Sequence, residues 1–253
     1  MGLGVNLRER RRFYKNRTMR ELVEALRWVV LRRDAPDIAH IAFYDEITEG
    51  PVQRDEALFL HGLVRVIRPA TVVEIGFYHG VSAYNFLSAM DADARLYAFD
   101  VDPICDEVAR RRFGHEPRLV FRRRAQQDLT PDDVDGRPVD LVFVDGAHDL
   151  ELNRRTFERL LGMLAPGAVV AIHDTGTVAR RWTPDSLQRQ IPPERWIGDS
   201  YEHQPGERAF VNWVLDEHPE FAQIHLHTDR TPRAGLTLLQ RSGPLPRPAA
   251  SPP

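Results

Sequence analysis

Residues 71–82 read Thr-Val-Val-Glu-Ile-Gly-Phe-Tyr-His-Gly-Val-Ser, and this segment has the pattern of a buried strand, a tight turn and the start of a helix. The run Val72 to Ile75 is short and rich in β-branched residues, as expected of a buried strand. Gly76 allows a tight turn, and Gly80 allows a ligand to approach the start of a following helix, whose free N–H groups favour an anion. The spacing differs from the dinucleotide-binding pattern GxGxxG. Glu74, ahead of the first glycine, suits a ligand that carries an ammonium group.

Further strands follow this one along the chain. The apolar runs alternate with amphipathic segments, a pattern typical of a parallel sheet with crossover helices. These runs are Val72 to Ile75, Arg95 to Phe99, Leu119 to Phe121, Asp140 to Val144 and Ala168 to Ile172. Two alternating runs near the C-terminus, Gln223 to His227 and Gly235 to Leu239, predict an antiparallel pair. We therefore predict an α/β fold, a Rossmann-like doubly wound sheet that is mostly parallel and ends in an antiparallel hairpin.

Helices are predicted between and before these strands. The expected helices cover residues 57–67, 151–164 and 209–215, and Pro166-Gly167 is the expected stop of the second one. The capping-box pair Thr18 and Glu21 predicts an earlier helix that ends near Leu31 and could form a dimer contact. We divide the chain into a basic N-terminal segment with a helical extension (residues 1–50), a main domain (51–242) and a proline-rich, disordered tail (243–253).

Composition excludes several functions. The net charge is 34 − 37 = −3, so there is no overall positive field to hold nucleic acid or an anionic membrane. Of the 34 cationic residues only Lys15 is lysine, which removes the Walker A, kinase-type and pyridoxal enzymes that need a central lysine. The single Cys105 predicts packing rather than chemistry and favours a reducing, cytoplasmic location. We find no signal peptide and no membrane span.

The end of the second strand adds a second ligand-binding group. Ligands of open α/β sheets bind beyond the carboxyl ends of the strands. Asp100 lies there, at 100 − 80 = 20 residues after Gly80, close to the spacing at which an acid meets a ribose diol. Glu74 and Asp100 together predict a ligand in which an amino acid is joined to a nucleoside.

The segment from about Pro51 to Arg241 resembles the class I S-adenosylmethionine-dependent methyltransferases. It is most similar to the metal-dependent catechol O-methyltransferase type and its bacterial sugar and antibiotic relatives. The resemblance implies that the cofactor's methionine part contacts one group of residues: Glu74, Gly76, Tyr78, Gly80 and Ser82. It further implies that Asp100 binds the ribose and that Gln126 and Gln127 lie at the edge of the adenine.

The ends of the fourth and fifth strands carry the reacting groups in that family. The resemblance implies that Asp145, His173 and Asp174 hold a divalent metal and that His148, three residues after the first acid, is the general base. His173 departs from the family's acidic pattern. Mg²⁺ prefers oxygen ligands, whereas imidazole suits Mn, Fe, Co or Zn, so we expect Mg or Mn and leave the metal's identity open.

These residues predict an O-methyltransferase for a small-molecule hydroxyl on a phenol, catechol, sugar or other natural product. The polar and aromatic stretch from Thr175 to Pro205 is expected to be a loop that covers the acceptor, or else a subunit interface. Three alternatives stay open: a metal-free methyltransferase acting on carbon or nitrogen, a non-haem iron hydroxylase, and a subunit that binds the cofactor without turnover. A homodimer or larger homo-oligomer is compatible with the sequence.

Overall fold

The computed structural model describes residues 52, 54–226 and 235–242. The predicted N-terminal segment, its helix at residues 18–31 and the proline-rich tail lie outside the described residues. Seven strands form the main sheet in the order β3-β2-β1-β4-β5-β10-β9. They are β1 (Thr71–Ile75), β2 (Arg95–Asp100), β3 (Leu119–Arg123), β4 (Val139–Val144), β5 (Leu164–His173), β9 (Phe221–Leu226) and β10 (Leu236–Arg241).

Helices cover both faces of this sheet. They are α1 (Arg54–Ile67), α2 (Val81–Ala89), α3 (Ile104–Phe113), α4 (Leu150–Leu161) and α6 (Pro205–Glu217). Two apolar clusters fill the spaces between sheet and helices: Val72 and Phe143 point into one, and Val73 and Val142 into the other. Successive residues of a strand point to opposite faces, so both faces of the central strands are apolar.

Strand direction confirms the predicted fold class. β3, β2, β1, β4 and β5 are paired in parallel, whereas β10 pairs antiparallel with both β5 and β9. The strand order reverses between β1 and β4, and a crevice opens beyond the carboxyl ends of strands at such a reversal. Glu74 lies near the carboxyl end of β1, Gly76 to Gly80 follow it and Asp145 to His148 follow β4, so the topology brings these predicted site residues to one edge.

One predicted helix end was wrong. The amphipathic helix α4 ends at Leu161, with Gly162 as its C-cap, and not at Leu164. Leu164 already pairs with Val139 as the first residue of β5, and both side chains are buried. Pro166 and Gly167 therefore lie inside an irregular strand start rather than at the helix stop, because burying Leu164 against β4 extends the strand backwards.

The segment at residues 175–205, here called the insert, has secondary structure of its own. The sequence predicted a loop, but the insert contains a small antiparallel sheet of β6 (Thr177–Ala179), β7 (Trp196–Ile197) and β8 (Ser200–Glu202), together with the short helix α5 (Asp185–Gln188). Antiparallel pairing of β6 with β8 joins its two ends shortly after β5 in the chain. Within the described ranges, no helix combines the length and the apolar character needed to cross a bilayer.

Cys105 packs in the core as expected. It is fully buried in α3, and burial raises the pKa of its thiol to about 12. A thiol that stays protonated at neutral pH is a poor nucleophile.

Candidate active site

The turns that follow β1 and β4 are in van der Waals contact. Gly76 has φ +92°, and a Cβ atom there would lie 2.1 Å from the carbonyl oxygen of Asp145. The Asp145 N–H donates to the Ile75 carbonyl at 2.9 Å, and the Gly76 N–H donates to the Phe99 carbonyl at 2.9 Å. Only glycine satisfies both the positive φ and the close approach at this position.

Glu74 is a fully buried carboxyl group at the end of β1. The Ser82 hydroxyl donates to its Oε1, whereas no donor among the described residues reaches its Oε2. Burial raises the pKa of Glu74 to about 8. A buried acceptor without a donor costs free energy, and an ammonium group would satisfy it.

The turn between Gly76 and Gly80 is shaped by packing. Gly80 has φ +74°, and a Cβ there would meet the Phe113 ring at 2.5 Å, so close packing against α3 is the reason for glycine at this position. Tyr78 adopts φ +42°, and its exposed ring lies against His79 with 4.0 Å between ring centroids. Ser82 lies in the first turn of α2, where it binds Glu74.

Asp100 links two turns through backbone hydrogen bonds. Its Oδ2 accepts from the N–H groups of Phe77 and Tyr78 at 3.0 and 2.9 Å. Its Oδ1 accepts from Val101 and Asp102 at 2.7 and 3.0 Å. A carboxylate offers about four acceptor positions, so a ribose diol bound here would share them with the backbone. The predicted ribose contact stays a prediction, and Asp100 has a structural role in addition.

The two glutamines predicted at the adenine edge have different surroundings. Gln126 is buried, and its Nε2 donates to Asn153 Oδ1 at 2.9 Å and to Thr156 Oγ1 at 3.0 Å. Its Oε1 accepts from the Ala147 N–H at 3.3 Å. Gln127 is half-buried, which leaves part of its side chain accessible. The amide of Gln126 therefore faces α4 and the β4 turn.

His173 lies between carboxylates at the end of β5. Its Nδ1 lies 3.1 Å from Asp145 Oδ1 and 3.1 Å from Asp174 Oδ1, and its Nε2 lies 3.1 Å from Glu56 Oε2 of α1. Although burial acts to lower it, the two aspartates raise the pKa of His173 well above its usual value. Both ring nitrogens of His173 are thus engaged by acids, and a protonated ring partly balances their charge.

His148 lies in the turn after β4, on the other side of Asp174. Its Nε2 is 3.5 Å from Asp174 Oδ2, and its Nδ1 is 3.1 Å from Oε1 of Glu207. The hydrogen bond to Glu207 raises the pKa of His148. Asp145, His148 and Asp174 each offer a ligand atom, and these atoms all lie within 4.8 Å of one another. The structure therefore brings together both predicted aspartate ligands and the predicted base.

The sequence did not identify Glu56 and Glu207 at this site, and it placed His203 only within the stretch expected to cover the acceptor. His203, at the end of the insert, has its Nε2 3.8 Å from Asp174 Oδ2, and burial lowers its pKa. Glu207 follows Pro205 in the first turn of α6, where proline and an acid are a helix-start signal. That signal locates the helix, but no sequence pattern joins Glu207 to a histidine 59 residues earlier.

Comparisons with known proteins find methyltransferases in sequence and in fold. Residues 73–175 match the sequence profile of a family described as a methyltransferase domain. The tapetum-specific methyltransferase 1 of Arabidopsis thaliana is 27% identical over 169 residues, covering 61% of this chain and 64% of the relative. The catechol O-methyltransferase of Mus musculus is 28% identical over 136 residues, covering 51% and 49%. The chain spans 14%, 64% and 60% of the first three curated relatives it matches, less than two thirds of each.

A solved O-methyltransferase shares this fold. The O-methyltransferase from Streptomyces achromogenes involved in tomaymycin synthesis, solved with S-adenosylmethionine, superposes with a TM-score of 0.62 at 20% identity. The match covers 87% of this chain and 96% of that one. The chain therefore shares the fold of this O-methyltransferase, and its residues 73–175 are similar in sequence to a methyltransferase domain.

Proposed function

We propose that the protein is an S-adenosylmethionine-dependent O-methyltransferase that acts on a hydroxyl group of a small molecule. The observation that carries this proposal is the buried Glu74 Oε2, which has no donor among the described residues and lies on the strand next to the one that presents His148. An ammonium group of the cofactor would supply the donor. Asp100 and Gln127 are assigned to the ribose and the adenine by the family resemblance.

In the proposed reaction His148 is the base that accepts one proton. Its Nε2 takes the proton of the acceptor hydroxyl while that oxygen forms a bond to the methyl carbon and the bond from carbon to sulfur breaks. The products are the methyl ether, S-adenosylhomocysteine and a protonated His148. An imidazole is suited to proton removal near neutrality, and the turn after β4 holds it at the cofactor edge of the sheet.

A divalent cation fits the same edge. Asp145 and Asp174 would hold it, since their oxygens are the donors that Mg²⁺ and Mn²⁺ accept. When bound, the cation would supply positive charge that lowers the pKa of the acceptor hydroxyl. We assign His148 to the proton rather than to the metal. His173 is assigned to charge balance, because Glu56 and the two aspartates engage both of its nitrogens.

Methyl transfer from labelled cofactor tests the proposal. The full chain is incubated with S-adenosylmethionine that carries a labelled methyl group, a divalent metal and one acceptor at a time: a catechol, a simple phenol or a sugar diol. We expect label in an O-methyl ether and an equal amount of S-adenosylhomocysteine with at least one acceptor class. Label on carbon or nitrogen would favour a metal-free methyltransferase that acts on those atoms. Oxygen-dependent turnover with bound iron would favour the hydroxylase, and cofactor binding without transfer would favour the non-catalytic subunit.

Cofactor binding should release a proton from Glu74. Because the pKa of Glu74 is about 8, its carboxyl group is mostly protonated at pH 7, and a bound ammonium group favours the carboxylate. About one proton should leave on binding at pH 7, and affinity should rise by about tenfold from pH 6 to 7 and by about fivefold from pH 7 to 8. Calorimetry of S-adenosylhomocysteine binding in buffers of different ionisation enthalpy measures both quantities.

Glu74→Gln is the matched control, since it keeps the shape and cannot titrate. This variant should bind more weakly and release no proton from this site. Proton release that is unchanged in Glu74→Gln would show that Glu74 does not meet the ammonium group.

A further inference from the structure

Glu207 has the position of a carboxylate behind a catalytic imidazole. Its side chain is fully buried at the start of α6, and its Oε1 lies 3.1 Å from Nδ1 of His148. The opposite nitrogen of the ring, Nε2, faces Asp174 Oδ2 at 3.5 Å. The ring therefore has one nitrogen turned to the protein interior and one turned to the reacting edge.

The helix α6, which carries Glu207, packs closely against the backbone of His148. A Cβ atom on Gly206 would lie 2.3 Å from the carbonyl oxygen of His148, so glycine permits the close approach of α6 to the β4 turn. A negative charge at a helix N-terminus is also stabilised by the free N–H groups there. These features place a buried carboxylate at a fixed distance from the ring.

A chain of amides determines the direction of the hydrogen bonds. The Ala147 backbone N–H can only donate, and it donates to Gln126 Oε1 at 3.3 Å. Gln126 consequently turns its Nε2 to Asn153 Oδ1, at 2.9 Å. Asn153 in turn donates from Nδ2 to Glu207 Oε2, at 3.0 Å. Each step leaves a single arrangement in which donors meet acceptors.

This chain makes Oε2 of Glu207 an acceptor, so the position of the proton on His148 depends on Oε1. Burial raises the pKa of Glu207, and the hydrogen bonds from His148 and Asn153 act against that rise. When Glu207 is ionised its Oε1 only accepts, and Nδ1 lies 3.1 Å from it whereas Nε2 lies 3.5 Å from Asp174 Oδ2, so the hydrogen of a neutral His148 lies on Nδ1 and the free electron pair on Nε2. We propose that Glu207 is a positioning residue that holds His148 in the Nδ1–H tautomer with its Nε2 lone pair towards Asp174. The importance of this tautomer for turnover rests on the proposed function, whereas the tautomer itself does not.

Replacing Glu207 by glutamine should reverse the tautomer. Asn153 still offers a donor, so the new amide oxygen must face Asn153 and its NH₂ group must face His148. Nδ1 then has to accept, and the hydrogen moves to Nε2, which removes the free electron pair from the reacting edge. A base in the wrong tautomer should lower kcat by about 10² to 10⁴-fold, with little change in affinity for S-adenosylhomocysteine.

Exchanging the amide and the acid should restore the tautomer. In the double variant Asn153→Asp with Glu207→Gln, the new aspartate accepts from Gln126 and from the NH₂ group of the new glutamine. The amide oxygen of that glutamine then faces His148 and accepts from Nδ1–H. We expect the double variant to recover at least tenfold in kcat over Glu207→Gln, which a loss of packing would not do.

Nitrogen-15 spectra of the histidine rings and steady-state kinetics test the proposal together. The spectra are recorded on the full chain at a pH where His148 is neutral, its signals being assigned by their loss in His148→Gln. The wild type should show a protonated Nδ1 and an unprotonated Nε2, Glu207→Gln the reverse, and the double variant the wild-type pattern. Glu217→Gln makes the same change at the exposed end of α6 and should alter neither readout.

Two results would overturn the proposal: an unprotonated Nδ1 in the wild type, or a Glu207→Gln variant that keeps both the tautomer and the turnover. If Glu207→Gln fails to fold, the wild-type spectrum alone decides. If the wild type transfers no methyl group, the proposed function fails while the spectra still decide the role of Glu207.

Discussion

His148→Ala should reduce turnover by about 10² to 10⁴-fold while leaving affinity for S-adenosylhomocysteine nearly unchanged. The variant removes the imidazole whose Nε2 lies 3.5 Å from Asp174 Oδ2, so the acceptor hydroxyl loses its proton acceptor. Glu74, Ser82 and Asp100 lie on other strands or helices and are not in hydrogen-bond contact with His148. Single-turnover kinetics of methyl transfer, combined with calorimetry of cofactor binding, separate the two effects.

His115→Ala is the control, since His115 is exposed in the turn after α3. It should leave turnover within about twofold of the wild type, as expected for a surface change away from the site. Metal content is measured in both variants. If His148→Ala loses the metal as well as the activity, His148 is a ligand rather than the base. Near-wild-type turnover in His148→Ala would leave the imidazole with a structural role alone.

Removing divalent metal should reduce turnover by at least about 10²-fold and leave cofactor binding intact, because a bound cation contributes several kcal/mol to stabilising the developing oxygen charge. Asp145 and Asp174 offer oxygens beside His148, where the proposed reaction would take place. Turnover is measured in excess chelator and again after Mg²⁺ or Mn²⁺ is returned. Asp174→Asn should weaken metal binding, which calorimetry with the metal alone detects, whereas Asp185→Asn, on the exposed start of α5, should not.

Turnover that survives the removal of metal would also have an explanation in this structure. His173 lies 3.1 Å from an oxygen of each aspartate, and its raised pKa makes it a cation between them. Full activity in excess chelator would assign the charge balance to His173 and support the metal-free alternative. Two acids at neighbouring strand ends are therefore no proof of a metal when a histidine separates them.

The parts of the site that lie close together in sequence could be predicted from it. Gly76 and Gly80, Asp100, and the pair Asp145 and His148 each follow an apolar run that became a strand, and parallel strands present such ends at one edge. The alternation of strands and helices was enough to predict that edge. Long-range contacts were not predictable, since nothing in the local pattern joins His173 to Glu56 across 117 residues.

The directions of the side chains were also not predictable from the sequence. The sequence treats His173 and Asp174 as a pair, but Asp174 adopts φ +60°, and the two side chains have different neighbours. His173 reaches Glu56, whereas Asp174 Oδ2 meets His148 and His203. Gln126, predicted at the adenine edge, turns its amide nitrogen to α4, because Asn153 and Thr156 give its buried amide two acceptors. Both outcomes depend on tertiary partners.

The two ends of the insert are hydrogen-bonded to each other, close to Asp174. Thr177 pairs with Glu202 across the strands, and the His203 N–H donates to the Gly176 carbonyl at 3.3 Å. A loop whose ends are already joined can lengthen cheaply, since doubling its length costs about 0.6 kcal/mol of closure entropy. The middle of the insert can therefore change in length while the pairing of its two ends, beside Asp174 and His203, is kept.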